Sequence, residues 1–369
     1  MNGIIADSRE QRPLRRPRAK RRLYWATLFG IGMILVLAEL VLRPAIGELD
    51  PFNARPVRED GLDAPVVTIR NHTEGLATAH LTLSCARLTG VPEIAHAPYL
   101  LIVGDSFVAA EQVNDNQTMG AQLQRISAAG GEPVNVRQYG WVAAGPTKYI
   151  IEAPDLLQHW HPAMTAVVLN EDDFYSVSLS DRWAMMRVDD GEPMEVRRVD
   201  PGKLNSFHAL AARASHYSGL FKALYMRFSL DVWPEFHAVL MRARVRPFDV
   251  RQGGVDVNSG PTMPQIVRAS LMGLQRAYGP HLELIFAAEP GLQDQADLEE
   301  EEFLRQCSLQ KIACFSTRAA LDHARDNGEF LAAGFCNSRP AAGHYNVHGH
   351  QIIAEDIWAA YQRIHGKLE

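Results

Sequence analysis

Residues 100–113 read LLIVGDSFVAAEQV, and this stretch decides the fold. Five apolar or small residues precede Asp105 and Ser106, and the uninterrupted apolar run ends there. A short apolar run without alternation is typical of a strand buried on both faces of a parallel sheet. The turn that follows has two interpretations. Ser106 either has the ordinary structural role of a helix N-cap, or it is a nucleophile held at the carboxyl end of a sheet.

Similar runs recur along the chain with helical patterns between them. Residues 118–131 are typical of a helix that Gly130 ends, and residues 348–364 carry an apolar helical face. This alternation predicts an α/β fold with a doubly wound, flavodoxin-like parallel sheet. The other predicted strands are PVNVRQY (133–139), TAVVLN (165–170), LELIFAA (282–288) and KIACFS (311–316).

One long insertion, at about residues 180–264, separates the third and fourth of these strands. Residues 183–199 predict a hairpin around Asp190-Gly191, and residues 204–228 have the spacing of an amphipathic helix. A Gly/Pro-rich loop follows, from about 246 to 264. An insertion after the carboxyl end of a strand is where an α/β enzyme carries a lid or a substrate wall. Core packing or docking of a partner explains the apolar face equally well.

The N-terminal part of the chain has a different character. Residues 1–22 carry eight Arg/Lys against two acids, a charge of about +6. Since the net charge of the whole chain is −6, residues 23–369 carry about −12. Residues 23–43 are apolar apart from Glu39 and Arg43, and a stretch of this length predicts one transmembrane helix that acts as a signal anchor. A cleaved signal peptide is the alternative, but no small-x-small site follows.

The positive-inside rule then places the basic tail in the cytoplasm of a bacterium and the main domain in the periplasm. Residues 44–96 are interpreted as a stalk and an irregular lead-in, followed by the main domain over residues 97–369. Because the basic charge is confined to the tail, the main domain shows no sign of binding nucleic acid. The cysteines suit an oxidising compartment: Cys307 and Cys314 are close enough in sequence to pair, and Cys85 and Cys336 either pair or stay reduced.

Four motifs lie at the ends of the predicted strands. They are Gly104-Asp105-Ser106, the glycine-bearing stretch 139–149 (YGWVAAGPTKY), the stretch 170–174 (NEDDF) and H-x-N-x-x-G-H over residues 344–350. Their order and spacing resemble the GDSL-type (SGNH) serine esterase superfamily from about residue 98 to the C-terminus. No G-x-S-x-G elbow, P-loop or G-x-G-x-x-G is present.

The resemblance implies a role for each matched residue. Ser106 would attack an acyl carbon, and His344 would take its proton and later release the alcohol. The backbone N–H groups of Ser106 and Ala143 would face the oxyanion. The family has an asparagine as a third donor, where this chain has Asp172. Either Asn170 supplies the amide instead, or Asp172 is protonated or turned away.

A second departure concerns the acid that orients the histidine. The family has it three residues before the histidine, which is Ala341 here. His344 would then be oriented by a backbone carbonyl, by an acid from elsewhere or by nothing. His348 and His350 lie nearby, and a metal site is a minor alternative to a structural role for them.

These observations predict a membrane-anchored serine esterase or acyltransferase. Its substrate would be the ester groups of an envelope glycan or lipid, and no metal or organic cofactor is expected. The alternative is a catalytically inactive binding or scaffold protein that keeps the fold, for which Asp172 and Ala341 are the evidence.

Overall fold

A computed structural model describes residues 18–45, 66–71, 74–82, 84–142, 144–174, 184–198, 261–288, 293–327, 331–338 and 343–366. The strands in these ranges are β1 (Val66–Asn71), β2 (Ala77–Thr82), β3 (Ala86–Arg87), β4 (Tyr99–Gly104), β5 (Asn135–Gly140), β6 (Met164–Leu169), β7 (Ala184–Asp189), β8 (Glu192–Arg198), β9 (Leu282–Phe286) and β10 (Cys314–Ser316). The α-helices are α1 (Arg18–Ala45), α2 (Ser106–Ala109), α3 (Met119–Ala129), α4 (Pro146–Trp160), α5 (Met263–Tyr278), α6 (Gln293–Gln310), α7 (Arg318–Asp326) and α8 (Val347–Ile364).

The predicted parallel sheet is confirmed. Strands β5, β4, β6, β9 and β10 lie side by side in that order, and each neighbouring pair is parallel. In chain order this is 2-1-3-4-5, the flavodoxin-like arrangement. The chain moves one way across the sheet from β4 to β5 and the other way from β5 to β6. Right-handed crossovers therefore place α3 and α4 on opposite faces.

The interpretation of residues 44–96 as a stalk and irregular lead-in is wrong for residues 66–87. There β1, β2 and β3 pair antiparallel in succession, and β3 pairs with β5, so the sheet extends beyond its parallel part. In β2 the inward side chains are Ala77, Ala79 and Leu81. Small residues that alternate with exposed ones give a weak apolar signal, which explains why the sequence did not predict these strands.

The predicted hairpin of the insertion is confirmed as β7 and β8, which pair antiparallel around Asp190 and Gly191. Both turn residues have positive φ (47° and 75°), as a two-residue type I′ turn requires. The helix predicted over residues 204–228 and the loop as far as residue 260 lie outside the described residues. Met263 begins α5, which packs against β8 and α4.

The N-terminal helix α1 includes residues 23–43 and exposes apolar side chains such as Trp25 and Phe29. Among the helices of the described ranges, none combines the length and the apolar character needed to cross a membrane.

Cys307 of α6 forms a disulfide with Cys314 of β10, which ties that helix to the edge strand of the sheet. Cys85 is buried and Cys336 is exposed, and neither forms a disulfide.

Candidate active site

Ser106 lies at the carboxyl edge of the sheet, directly after β4. Asp105 caps the short helix α2, and its side chain accepts a hydrogen bond of 2.9 Å from the backbone N–H of Phe107. Two strand-end glycines let this helix pack tightly onto the sheet. A Cβ on Gly104 would lie 2.5 Å from Val108 Cγ2, and one on Gly140 would lie 2.0 Å from the backbone nitrogen of Ala109. The serine is therefore carried by a packed turn.

His344 meets Ser106 from the other end of the chain. Its Nε2 is 2.9 Å from Ser106 Oγ, although 238 residues separate the two. The imidazole packs on the ring of Phe107, with 5.1 Å between the ring centroids. Just after it, Asn346 caps α8 by accepting hydrogen bonds from the N–H groups of His348 and Gly349. The structure thus brings together the two residues that the sequence singled out as nucleophile and base.

The other nitrogen of the imidazole contacts a carboxylate from the N-terminal edge of the sheet. Glu74, in the turn between β1 and β2, places Oε2 2.6 Å from His344 Nδ1. Its Oε1 accepts a second hydrogen bond, of 2.9 Å, from the backbone N–H of His344. Room for this carboxylate comes from Gly343, which has φ of +83° and where a Cβ would lie 2.3 Å from Glu74 Oε1. One acid therefore holds both the ring and the main chain of the histidine.

The electrostatics of the pair assign the proton. Burial raises the pKa of Glu74, but the hydrogen bonds and charge of His344 lower it more, so that this pKa lies below its ordinary value of 4.5. Glu74 is consequently ionised at neutral pH and accepts a hydrogen bond from Nδ1–H of His344. In this tautomer Nε2 is the acceptor, and the Ser106 hydroxyl donates to it.

Sequence reasoning missed Glu74. Of the three possibilities for orienting His344, the structure shows an acid from elsewhere, 270 residues away in the sequence. Ala341, where the family has its acid, lies outside the described residues. The sequence shows Glu74 before a glycine, between two short segments that have the composition of strands. Nothing in these residues indicates that the glutamate contacts a histidine near the C-terminus.

Asn170 binds the buried end of the serine turn. Its Nδ2 donates to Asp105 Oδ2 at 2.8 Å, and its Oδ1 accepts from the backbone N–H of Asp172 at 2.9 Å. These two partners fix the orientation of the amide. Asn170 is buried, whereas Asp172 is exposed.

Two carboxylates lie buried beneath the site. Burial raises the pKa of Asp105, and hydrogen bonds from Phe107 and Asn170 partly offset this. Burial raises the pKa of Asp173 well above its ordinary value, and repulsion from Asp105 adds to this. Asp173 Oδ2 accepts the backbone N–H of Asn170 at 3.0 Å. Asn170 therefore bridges the two acids and joins the ends of β4 and β6.

Ala143 lies outside the described residues. Trp141 is described, and its N–H donates to the Gly104 carbonyl at 3.0 Å, at the same edge of the sheet as Ser106. His350 is buried. Burial is the main cause that lowers its pKa to about 3, and the charges of Arg87 and His344 lower it further. Within the described ranges, no group of three potential ligands is placed to hold a metal ion.

No protein-family model matches the sequence, and no curated protein matches it either. Solved structures with a similar fold include an α/β hydrolase enzyme from the metagenome of Lake Arreo, Spain, with 13% identity and a TM-score of 0.40 over 75% of this chain and 98% of that one. A carbohydrate acetylesterase from Sinorhizobium meliloti has 8% identity and a TM-score of 0.35 over 72% and 99% of the two chains. A catalytic mutant of an acetylxylan esterase from Geobacillus stearothermophilus has 12% identity and a TM-score of 0.36 over 73% and 96%.

Proposed function

We propose that this protein is a serine esterase or acyltransferase that works through Ser106, His344 and Glu74. The observation that carries the proposal is the continuous chain of hydrogen bonds from Ser106 Oγ to His344 Nε2 (2.9 Å) and from His344 Nδ1 to Glu74 Oε2 (2.6 Å). A nucleophile, a base and an acid that orients the base are the three parts of a serine triad, which is recognised by geometry and not by order in the sequence.

In the first half of the reaction Ser106 Oγ attacks the acyl carbon of an ester while its proton passes to His344 Nε2. Glu74 stabilises the imidazolium that forms, and His344 then gives the proton to the departing alcohol. The resulting acyl-enzyme is resolved by water in hydrolysis, or by a hydroxyl of a second substrate in acyl transfer. In both cases His344 deprotonates the incoming hydroxyl.

The oxyanion of the tetrahedral intermediate needs donors in place before the reaction. The backbone N–H of Ser106 lies in the first turn of α2, where N–H groups have no partner within the helix. Asn170 has two amide hydrogens and uses one on Asp105, so its second hydrogen is our proposed side-chain donor. The N–H of Ala143 is the third proposed donor, as the resemblance to the SGNH superfamily implies.

The substrate class and the location stay predictions from the sequence. We place the domain on the outer face of a bacterial inner membrane, with residues 1–22 in the cytoplasm and residues 23–43 as the anchor. This location favours an ester-bearing envelope glycan or lipid as the substrate. Membrane fractionation, with protease added to intact and to opened spheroplasts, tests it: a domain cleaved only after opening would contradict the placement.

Labelling with a fluorophosphonate probe tests the chemistry, because an activated serine displaces the fluoride of such a probe and becomes phosphonylated, whereas ordinary serines do not react. The full-length chain in detergent is compared with Ser106→Ala and His344→Ala. The matched controls are Ser308→Ala and His159→Ala, which change exposed residues of α6 and α4. We expect labelling to vanish in the first two variants and to persist in the controls.

The alternative, an inactive scaffold, predicts a different result. A folded wild-type protein that is not labelled and releases no p-nitrophenol from p-nitrophenyl acetate would overturn the esterase proposal. Labelling that persists in Ser106→Ala would place the reactive serine elsewhere.

A further inference from the structure

Glu74 belongs to a turn at the outer part of the sheet, far in sequence from the histidine that it orients. The strands on either side of this turn pair with one another, and β2 also pairs with β3. Among the described residues, the link from β3 to β5 is short: it consists of two residue pairs and the hydrogen bond from the Gly140 N–H to the Cys85 carbonyl. A carboxylate that must stay within 2.6 Å of His344 Nδ1 therefore needs a local support. We propose that Asn337 is a positioning residue that supplies this support; the inference rests on the proposed function of the triad.

The side chain of Asn337 binds both polar groups of the residue that follows Glu74. Its Oδ1 accepts the N–H of Gly75 at 2.8 Å, and its Nδ2 donates to the C=O of Gly75 at 2.9 Å. A primary amide offers one acceptor and one donor side by side, so it pairs with a backbone unit as a neighbouring strand would. Gly75 has φ of +78°, and a Cβ there would lie 2.4 Å from the Gln112 carbonyl oxygen. The turn is thus confined between Gln112 and Asn337.

The segment that carries Asn337 also binds the histidine loop. We call residues 331–338 the clamp segment. In it, the N–H of Gly334 donates to the C=O of His344 at 3.2 Å, and Ala333 forms a β-bridge with Tyr345. The same short stretch of chain therefore contacts the backbone of the base on one side and the turn of the acid on the other.

The clamp segment is closed by a turn of its own. The N–H of Phe335 donates to Ser338 Oγ at 3.0 Å, and the N–H of Ser338 donates to the Phe335 carbonyl at 3.0 Å. Asn337 lies inside this turn, which limits where its side chain can reach. The position of Glu74 relative to His344 is consequently set by a support whose own geometry is fixed.

Loss of Asn337 need not unfold the edge of the sheet, because β2 has independent anchors. His80 Nδ1 lies 2.6 Å from Asp115 Oδ2, the His80 N–H donates to Asp115 Oδ1, and Arg87 pairs with the same carboxylate. These contacts hold β2 and β3 to the region before α3. A variant at position 337 should therefore release the Glu74 turn while the strands stay paired.

The test compares Asn337→Ala and Asn337→Asp in the full-length chain, using p-nitrophenyl acetate as substrate. Asn327→Ala is the matched control, since this exposed amide contacts only an exposed histidine of α7 among the hydrogen bonds described for its side chain. For Asn337→Ala we expect kcat to fall about 10- to 100-fold with KM nearly unchanged, because a small displacement of an orienting group costs this much. Asn337→Asp keeps the acceptor but puts a carboxylate oxygen against the Gly75 carbonyl in place of the donor, so kcat should fall at least as far as in the alanine variant.

Two readouts separate positioning from a general structural effect. First, Asn337→Ala should have little further effect in the Glu74→Gln background, since both changes remove the same support and coupled residues are not additive. Second, the low-field proton NMR signal of the His344 Nδ1–H, which reports the bond to Glu74, should weaken in Asn337→Ala and persist in Asn327→Ala.

The outcomes distinguish this inference from the proposed function. If the wild type shows no Ser106-dependent turnover, the proposed function fails, and the NMR signal alone decides the role of Asn337. If the wild type is active and Asn337→Ala matches it, the positioning role is overturned. Effects of Glu74→Gln and Asn337→Ala that multiply would also overturn it, as would an NMR signal that is unchanged in the alanine variant.

Discussion

The carboxylate of Glu74 binds a side-chain nitrogen and a main-chain nitrogen of the same histidine. This two-point contact fixes the position of the ring as well as its tautomer. An acid that bound only Nδ1 would leave the loop before α8 to be positioned by other contacts. The arrangement explains how a site can be complete although the position three residues before the histidine is an alanine.

Replacing Glu74 by glutamine tests the importance of the charge with little change of shape. We expect kcat to fall by roughly 10³- to 10⁴-fold at neutral pH, since loss of the orienting acid has this effect in a serine triad. Steady-state hydrolysis of p-nitrophenyl acetate measures it. Glu355→Gln, an exposed glutamate of α8, is the control for loss of one negative charge. A loss of less than tenfold would mean that Glu74 is not the acid of the triad.

His350 provides a second residue-level prediction, on stability. It is 1% exposed, its Nδ1 has no hydrogen-bond partner among the described residues, and its pKa is lowered from 6.5 to about 3. Because the folded-state pKa is the lower one, the unfolded state takes up the proton first as pH falls. The contribution of neutral His350 is complete above pH 6.5 and is lost as the pH falls toward 3.

The measurement is the free energy of unfolding in urea at several pH values. Between pH 6 and 4 we expect the wild type to lose about 1.4 kcal/mol per pH unit more than His350→Gln. His281→Gln, which changes an exposed histidine, should keep the slope of the wild type. Equal slopes for the wild type and His350→Gln would show that this histidine is protonated in the folded protein.

The elements of the fold differ in how far the sequence predicted them. Three strands of the parallel sheet, β4, β6 and β9, are runs of buried and mostly apolar residues, as in β4, where Leu100 to Val103 are fully buried. Such a pattern is local, so it can be read without knowing what lies beside it. The two predicted catalytic residues lie next to elements with such local patterns: Ser106 begins the helix after β4, and His344 lies just before the amphipathic helix α8.

The acid could not be predicted in this way, because its place depends on pairing between distant segments. Glu74 reaches His344 only when β1, β2 and β3 continue the sheet beyond β5. The pairing of β3 with β5 comprises two residue pairs, Ala86 with Tyr139 and Arg87 with Gln138. Register over so short a strand leaves no periodic signal. The departure at Ala341 thus indicated a missing acid, whereas the fold supplies one from outside the matched motifs.

Gly343 connects the turn of the acid with the loop of the base, and it gives a prediction with a close control. Gly343→Ala adds a Cβ 2.3 Å from Glu74 Oε1 at a φ of +83°, whereas Gly131→Ala adds one at a φ of +78° with nothing within 4 Å. Both variants should lose about 1–3 kcal/mol of stability from backbone strain. Only Gly343→Ala should also displace the carboxylate and lower the rate of fluorophosphonate labelling, by about 10-fold or more. Equal labelling rates in the two variants would contradict this account of the glycine.

For the whole molecule, the structure places the start of the α/β domain earlier in the chain than the sequence predicted. The sequence placed that boundary at residue 97, but the strands from residue 66 onward belong to the same sheet and contribute the acid. A domain cut at residue 97 would lack Glu74. It would also expose the edge of β5, where unpaired N–H and C=O groups can pair with another chain.

Two fragments test this boundary, one of residues 47–369 and one of residues 97–369. We expect the longer fragment to be monomeric in size-exclusion chromatography and to react with the fluorophosphonate probe at the rate of the full chain. The shorter one should aggregate or unfold at a lower temperature, because the edge of its sheet is uncovered. Any folded fraction of it should react at least 10²-fold more slowly, since His344 has lost the group that fixes its tautomer. Adding Glu74→Gln to the longer fragment separates the two effects, because that variant keeps the strands and loses only the charge. A shorter fragment that stays monomeric and reacts at the full rate would show that residues 66–96 are dispensable and that His344 is oriented without Glu74.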